Sequence, residues 1–260
     1  MTIRVGVDGS GPSRAAITWA AKRSARDHEA LELVHVVDGE WGQLGEDYAD
    51  DARRGANGLL ADALEVARRC APDAPITTSI RQGSTAWELA VSAEPGDLLV
   101  VGTHKTGYLS GRVLGTRSVV VASTATSSVA VIPDTPVTAR RGVVVGVAEG
   151  TPWEVAVTRG AQEAAHVGNE LSLVNAAPGD GGQRLLADAA ALAADIHPAL
   201  VIRRRVSRRR PAEALLDASR SAGLLVLGAT RADTARAGYL GSTTHEVLLN
   251  LNSPVLIARA

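Results

Sequence analysis

Leu98-Leu99-Val100-Val101-Gly102 returns 126 residues later as Leu224-Leu225-Val226-Leu227-Gly228, and this recurrence decides how the chain is read. Both runs are apolar without alternation, the pattern of a strand buried on two faces, and each ends in glycine before a polar loop. Moving outward at the same offset, Gly115-Thr116 matches Gly241-Ser242, and Ser127 to Ile132 matches Ser253 to Ala258. Upstream the offset is 140: Val5-Gly6-Val7 matches Val145-Gly146-Val147, and Leu31 to Val34 matches Leu171 to Val174. The two offsets differ by a 14-residue insertion in the first copy that includes the polar stretch Asp38 to Tyr48 around Trp41. A period near half the chain length reads as a duplicated domain, with copies over 1–135 and 141–260 joined by the proline-containing linker Pro133 to Arg141.

Each copy alternates short β-rich runs with longer helical patterns, which predicts α/β domains built on parallel sheets with helical crossovers. In the first copy the expected strands are Ile3 to Val7, Leu31 to Val37, Ile76 to Ile80, Leu98 to Gly102 and Val129 to Ile132. The expected helices run from Pro12 to about His28, Asp50 to Cys70, Thr85 to Ala93 and Thr116 to Thr126. Pro12 suits a first helical turn, where its missing N–H has no partner to lose.

Composition narrows the function classes. The 260 residues carry 27 Lys plus Arg against 28 Asp plus Glu, so no whole-chain cationic field favours nucleic acid or anionic lipid. With 45% hydrophobic and 21% charged residues, the chain is globular by composition. It has no Phe and one Met, so its core rests on Ala, Val and Leu. The single Cys70 excludes an intramolecular disulfide and thiolate-rich metal sites. No charged and apolar leader opens the sequence, and runs such as Gly142 to Val147 fall far short of the roughly 20 residues of a membrane span. These features together predict a cytoplasmic protein that does not enter the membrane.

Ligands of open parallel sheets bind beyond the carboxyl ends of the strands, where the strand order reverses. Two loops of the first copy lie there. Asp8-Gly9-Ser10 ends the first strand; Asp8 either accepts hydrogen bonds from a ligand or caps the following turn. After Gly102 a loop containing Gly107 and Gly111 leads to Gly115-Thr116-Arg117-Ser118 at a helix start, where backbone N–H groups and the helix dipole suit phosphate. The alternative is ordinary loop punctuation, but the same spacing recurs at Gly228 and Gly241-Ser242.

These residues resemble the universal stress protein family in its tandem two-domain form. The resemblance is carried by VGVDGS at 5–10, LELVHVV at 31–37, DLLVVGTH at 97–104, the glycine loop and GTRSVVVASTATSSVAVIP at 115–133, and then by the second copy. It implies two flavodoxin-like or Rossmann-like domains, each a five-stranded parallel sheet of order 3-2-1-4-5 with helices on both faces. It further implies an internal pseudo-dimer joined at the fifth strands. The implied cofactor is ATP, with or without Mg. Asp8 would hold the adenine or ribose end and Val36 would meet the base through its backbone. Gly102, Thr103, His104, Lys105 and Gly107, with Gly115, Thr116, Arg117 and Ser118, would hold the phosphates, and Gly6 completes the set. In the second copy Gly228, Arg231, Gly241, Ser242 and Thr244 are the weaker counterparts.

The family's nucleotide loop reads Gly-x2-Gly-x9-Gly-[Ser/Thr], and here Lys105 and Arg231 replace its middle glycine. Lys105 either obstructs backbone approach or pairs with phosphate. Ala148, followed by Glu149, stands where Asp8 stands in the first copy. The expectation is an asymmetric pair, with the first copy binding ATP and the second degenerate or empty. The implied function is an ATP-binding stress-response regulator acting through nucleotide-dependent conformation or partner binding, as a homodimer or with a protein partner. The alternatives are an interaction scaffold without nucleotide and an adenine-nucleotide-using enzyme. No catalytic residue is assigned, because no general base aims at a γ-phosphate, and slow hydrolysis is the most expected.

The remaining features read as structural. Arg203 to Arg205 and Arg208 to Arg210 fall on the third strand of the second copy, a sheet edge where charge discourages aggregation, and no aromatics interleave them as nucleic-acid platforms. His35 reads as a packed structural histidine. Trp19, Trp87 and Trp153 fall on helices and read as core or interface anchors.

Overall fold

The computed structural model describes residues 1–38, 46–104, 116–134, 140–168, 170–176, 180–229 and 240–260. They divide between two compact units, 1–104 with 116–134 and 140–260. Most of the 38–48 insertion and most of the linker lie outside the described residues.

The first unit runs β1 (Thr2–Gly6), α1 (Gly11–Asp27), β2 (Ala30–Val37), α2 (Glu46–Cys70), β3 (Ile76–Gln82), α3 (Thr85–Ser92), β4 (Leu98–Thr103), α4 (Thr116–Thr124) and β5 (Ser128–Pro133). All its strand pairs are parallel. β1 pairs with both β2 and β4, β3 lies outside β2 and β5 outside β4, giving the order β3-β2-β1-β4-β5. The pattern of apolar residues explains this order. Every residue of β5, and all but Gly102 of β4, is buried, whereas ITTSIRQ of β3 alternates between half-buried and exposed positions. A continuous apolar run fits a strand covered on both faces, and polar alternation fits an edge. α1 packs with α2 and α3 with α4.

The second unit repeats the plan with β6 (Val143–Gly146), α5 (Trp153–His166), β7 (Glu170–Asn175), α6 (Asp180–Ile196), β8 (Val201–Val206), α7 (Pro211–Ser219), β9 (Leu224–Gly228), α8 (Ser242–Leu249) and β10 (Val255–Ala258). Its parallel order is β8-β7-β6-β9-β10. Arg203, Arg204 and Arg205 are exposed on β8, which pairs with β7 alone in this unit, so the arginine run does charge a sheet edge.

Small and branched side chains build both cores. Ile3, Leu31, Leu33 and Leu99 in the first unit, and Leu171, Leu173, Leu225 and Ile257 in the second, are fully buried. Burying each is worth about 1.5–3 kcal/mol. The three tryptophans among the described residues are not core residues: Trp19 and Trp153 are half-buried and Trp87 is 57% exposed. Arg23 instead lays its guanidinium 5.8 Å from the Trp19 ring centroid, a cation–π pair on the face of α1.

Local signals set the ends of α1. Ser10 accepts a hydrogen bond from the Ser13 amide at the start, and His28 closes the helix in the left-handed region with φ 55°. At the amino end of the first sheet, Arg4 on β1 donates to Glu32 on β2 at 2.8 Å and also pairs with Asp97. Asp97 accepts from the amides of Thr2 at 2.9 Å and Glu94 at 3.1 Å. Burial pushes the Asp97 carboxyl up, but these amides and Arg4 outweigh it and hold the group below its usual 3.8. This network is remote from the carboxyl ends of the strands.

Candidate functional site

Beyond the carboxyl end of β1 the backbone continues alongside β2, with the Val7 amide donating to Val34 at 2.8 Å. His35 then bonds back, its Nδ1 standing 2.7 Å from the Val7 carbonyl. The second unit makes the same lock with different chemistry. There the Val147 amide donates to Val174 at 2.9 Å, and Asn175 Nδ2 donates to the Val147 carbonyl at 2.8 Å. His35 is therefore structural, and Asn175 is its counterpart.

Asp8 emerges exposed just past this lock. Its Oδ1 accepts from the Ser10 amide at 2.9 Å, so one carboxylate oxygen shapes the turn into α1. Gly9 adopts φ 77°, a conformation that favours glycine, and a Cβ there would also stand 2.7 Å from Leu59 Cδ2. The last pair of β1 with β2 is Gly6↔Val34, so Asp8 follows β1 two residues beyond it, next to the strand that carries Val36. On its other side β1 pairs with β4 as far as Val5↔Val100, and β4 runs on to Thr103. The Val36 side chain is buried, which leaves the backbone as its means of meeting a ligand.

Gly102 and Gly228 have a firmer role than loop punctuation. A Cβ on Gly102 would lie 2.3 Å from the carbonyl carbon and oxygen of Pro12, and one on Gly228 would lie 2.7 Å from the Pro152 oxygen. Each glycine lets the start of a helix, α1 or α5, cross the end of a central strand. Gly6 and Gly146 form a second matched pair: a Cβ on Gly6 would lie 3.0 Å from Leu89 Cδ1, and one on Gly146 would lie 2.8 Å from Leu227 Cδ2 and 3.0 Å from Leu215 Cδ2.

At the start of α4, Arg117 is exposed, but Ser118 is turned inward. The Ser118 hydroxyl donates to Thr103 Oγ1 at 3.3 Å, and both side chains are buried. This bond pins α4 to the end of β4, so the Ser118 hydroxyl serves the fold. His104 is 61% exposed, with Nδ1 3.5 Å from Asp134. Thr116 begins α4. Lys105, Gly107, Gly115 and Arg231 lie outside the described residues.

The second unit holds a cavity of about 600 Å³ beyond the carboxyl ends of β6, β7 and β9. Of the second-copy residues singled out from sequence, Gly228, Gly241, Ser242 and Thr244 line it. Sequence reasoning missed Asn175, the leucines 185 and 215, and Gly181-Gly182 at the start of α6, all of which also line it. The shorter β7–α6 connection was the available signal: without the insertion, α6 begins at Asp180, five residues after Asn175. Ala148 and Glu149 are exposed at the rim, with Glu149 Oε1 3.7 Å from where a Gly181 Cβ would lie. No Lys or Arg occurs among the described lining residues.

Comparison with known proteins agrees with this architecture. A universal stress protein from Archaeoglobus fulgidus superposes with a TM-score of 0.81 at 16% identity, covering 99% of this chain and 98% of its own. A universal stress protein of Mycolicibacterium smegmatis is 27% identical over 283 residues, spanning 99% of this chain and 96% of the relative. One of Mycobacterium tuberculosis is 28% identical over 301 residues, spanning 99% and 94%. The family model for the universal stress proteins matches residues 1–133 and 177–259, and the chain belongs to that family.

Proposed function

We propose that this chain is an ATP-binding regulator whose nucleotide sits in the first unit and acts by changing that unit's conformation or its affinity for a partner. The observation that carries this reading is the parallel order β2-β1-β4, which reverses at β1 and has the exposed Asp8 just beyond β1, between the strands that carry Val36 and Thr103. Asp8 is exposed there, and Arg117 is exposed on the first turn of α4. An exposed carboxylate beside a strand backbone suits ribose hydroxyls and a base edge, while a helix N-terminus with arginine suits phosphate. Among the described residues no cluster of three metal-ligating side chains occurs, so Mg would arrive on the phosphates. The inward-facing Ser118 hydroxyl leaves the α4 backbone and Arg117 as the groups for phosphate. Positioning of this kind supports binding, with hydrolysis no faster than phosphate orientation alone provides.

A scaffold without nucleotide is the second reading, and Asp8 and Gly102 favour it. The turn contact of Asp8 and the crossing of Gly102 by Pro12 account for both residues in the absence of a ligand. Mass spectrometry of gently purified protein and calorimetry with ATP decide between the two. The expected result is one ATP per chain, weakened at least tenfold by Asp8→Ala. Two ATP per chain, or binding indifferent to Asp8→Ala, overturns the asymmetric site, and an empty protein that ignores added ATP establishes the scaffold.

A further inference from the structure

β3 and β8 hold the same place in the two units and carry unlike sequences. β3 pairs with β2 alone in the first unit, and β8 with β7 alone in the second. The matched pairings Leu31↔Ile76 and Leu171↔Ile202 set β8 and its exit 126 residues after β3. At that offset Thr77, Thr78, Ser79, Gln82, Gly83 and Ser84 become Arg203, Arg204, Arg205, Arg208, Arg209 and Arg210. Six uncharged residues have given way to six arginines, all exposed. The first unit manages its edge with Arg81 as the only cation of β3, held by Glu88 at 3.0 Å. Discouraging aggregation therefore does not require an arginine row.

Only part of this charge is neutralised within the unit. Arg203 meets Glu170 at 3.2 Å and Arg209 pairs with Asp217, whereas Arg204, Arg205, Arg208 and Arg210 have no ion pair among the described residues. Four such cations within seven residues repel one another, and an anionic partner relieves that repulsion. Successive side chains of a strand point to opposite faces, so Arg203 and Arg205 flank the edge on one face and Arg204 on the other. A nucleic-acid backbone lying against one face would miss the arginines of the other, and 200–211 holds no aromatic for base stacking. A strand added at the edge meets both faces at once. Its side chains alternate as those of β8 do, each beside an arginine, so consecutive carboxylates answer Arg203 to Arg205. The half-buried Ile202 and Val206 bracket these arginines and suit β-branched neighbours. Like charge meanwhile keeps a second β8 from pairing there.

We propose that the β8 edge docks an acidic, extended segment of a partner protein, which joins the sheet through backbone hydrogen bonds and sets consecutive carboxylates beside Arg204 and Arg205. Arg208 and Arg210, in the exit to α7, extend the charge beyond the strand. The outward amides and carbonyls of an edge strand supply affinity, and the arginines supply selectivity. The surface lies on the second unit and is independent of the nucleotide reading of the first.

Fluorescence anisotropy of the full chain with a labelled peptide, Thr-Val-Glu-Glu-Glu-Ile-Thr, tests this. The expected result is saturable binding of one peptide per chain, with slowed hydrogen exchange at the β8 amides. Arg204→Thr combined with Arg205→Ser, which copies the edge of the first unit, weakens binding about tenfold, the loss of two cross-strand charge pairs. If that variant fails to fold, Arg204→Gln, which keeps most of the side chain, decides with a loss of about threefold. N-methylation of the glutamate amides keeps every charge and also weakens binding about tenfold or more, through the lost backbone bonds. Absence of saturable binding overturns the proposal, as does binding indifferent to the arginine substitutions. Equal affinity for the N-methylated peptide overturns it too, by reducing the contact to charge adsorption. Tighter binding of a single-stranded RNA oligonucleotide, lost in the same variants, assigns the arginines to nucleic acid and overturns it as well.

Discussion

The two units share a backbone plan and differ in what they do with it. At the amino ends of the strands, the first unit ties β1, β2 and the approach to β4 together through Arg4, Glu32 and Asp97. The second has Val144, Ser172 and Gly223 at the matching positions. On the outer helices, Trp87, Val91 and Val120 of the first unit are 57%, 44% and 46% exposed, whereas the second carries Glu213, Asp217 and Glu246 there. At the carboxyl ends, Ser118 bonds Thr103 in the first unit, whereas Ala229 stands at the position of Thr103 in the second. Among the positions that stayed alike are the buried strand residues and the points where backbone meets backbone, Gly102 on Pro12 and Gly228 on Pro152. Duplication therefore kept the strand cores and crossing points and let the outer surfaces and the Asp8 and Arg117 positions diverge.

The crossing points give the largest test of this contrast. Gly102→Ala places a methyl 2.3 Å from Pro12 backbone atoms and is expected to destabilise by about 3 kcal/mol or more, while Gly228→Ala, at 2.7 Å, is expected to lose about 1–2 kcal/mol. Urea denaturation of both variants checks the ranking, and equal losses would show that the two crossings relax alike.

A smaller effect concerns pH. Because the folded Asp97 carboxyl is held below 3.8, the native state binds fewer protons than the unfolded chain in that region. Its contribution is complete above the unfolded value and is lost as pH falls through the lowered folded one. Denaturation midpoints between pH 5 and 3 should fall less steeply in Asp97→Asn than in the parent. The second unit, with Gly223 at that position, has no such contribution from this network, and parallel slopes would remove the distinction.

The smallest expected effect is on the outer helices. Trp87→Glu copies the second unit's residue onto an exposed position, and the midpoint should move by no more than about 0.5 kcal/mol equivalent. A larger loss would mean that Trp87 supports the fold despite its exposure.

Much of this architecture was legible in residue order. The repeat set the number of copies, and the helix and strand periods placed β4 and β9 as buried strands and β8 as a charged edge. Helix ends followed from local chemistry, as Ser10 and Pro12 show for α1. Individual site residues were less legible, because a side chain's role depends on its neighbour. Ser118 reads from sequence as a phosphate ligand and is instead bonded to Thr103, 15 positions away. Gly102 reads as part of an anion loop and is first required by Pro12.

The sequence by itself determined the duplication, the parallel α/β class and the strands that lie at the centre and at the edge, since hydrophobic period and chain order are local properties that a linear pattern records. Only the tertiary structure decided that the second copy, with Ala148 in place of Asp8, encloses a cavity. That outcome depends on where α6, α7 and α8 begin relative to three strand ends. Such distances between remote segments are set when the helices pack onto the sheet, and no periodicity along the chain encodes them.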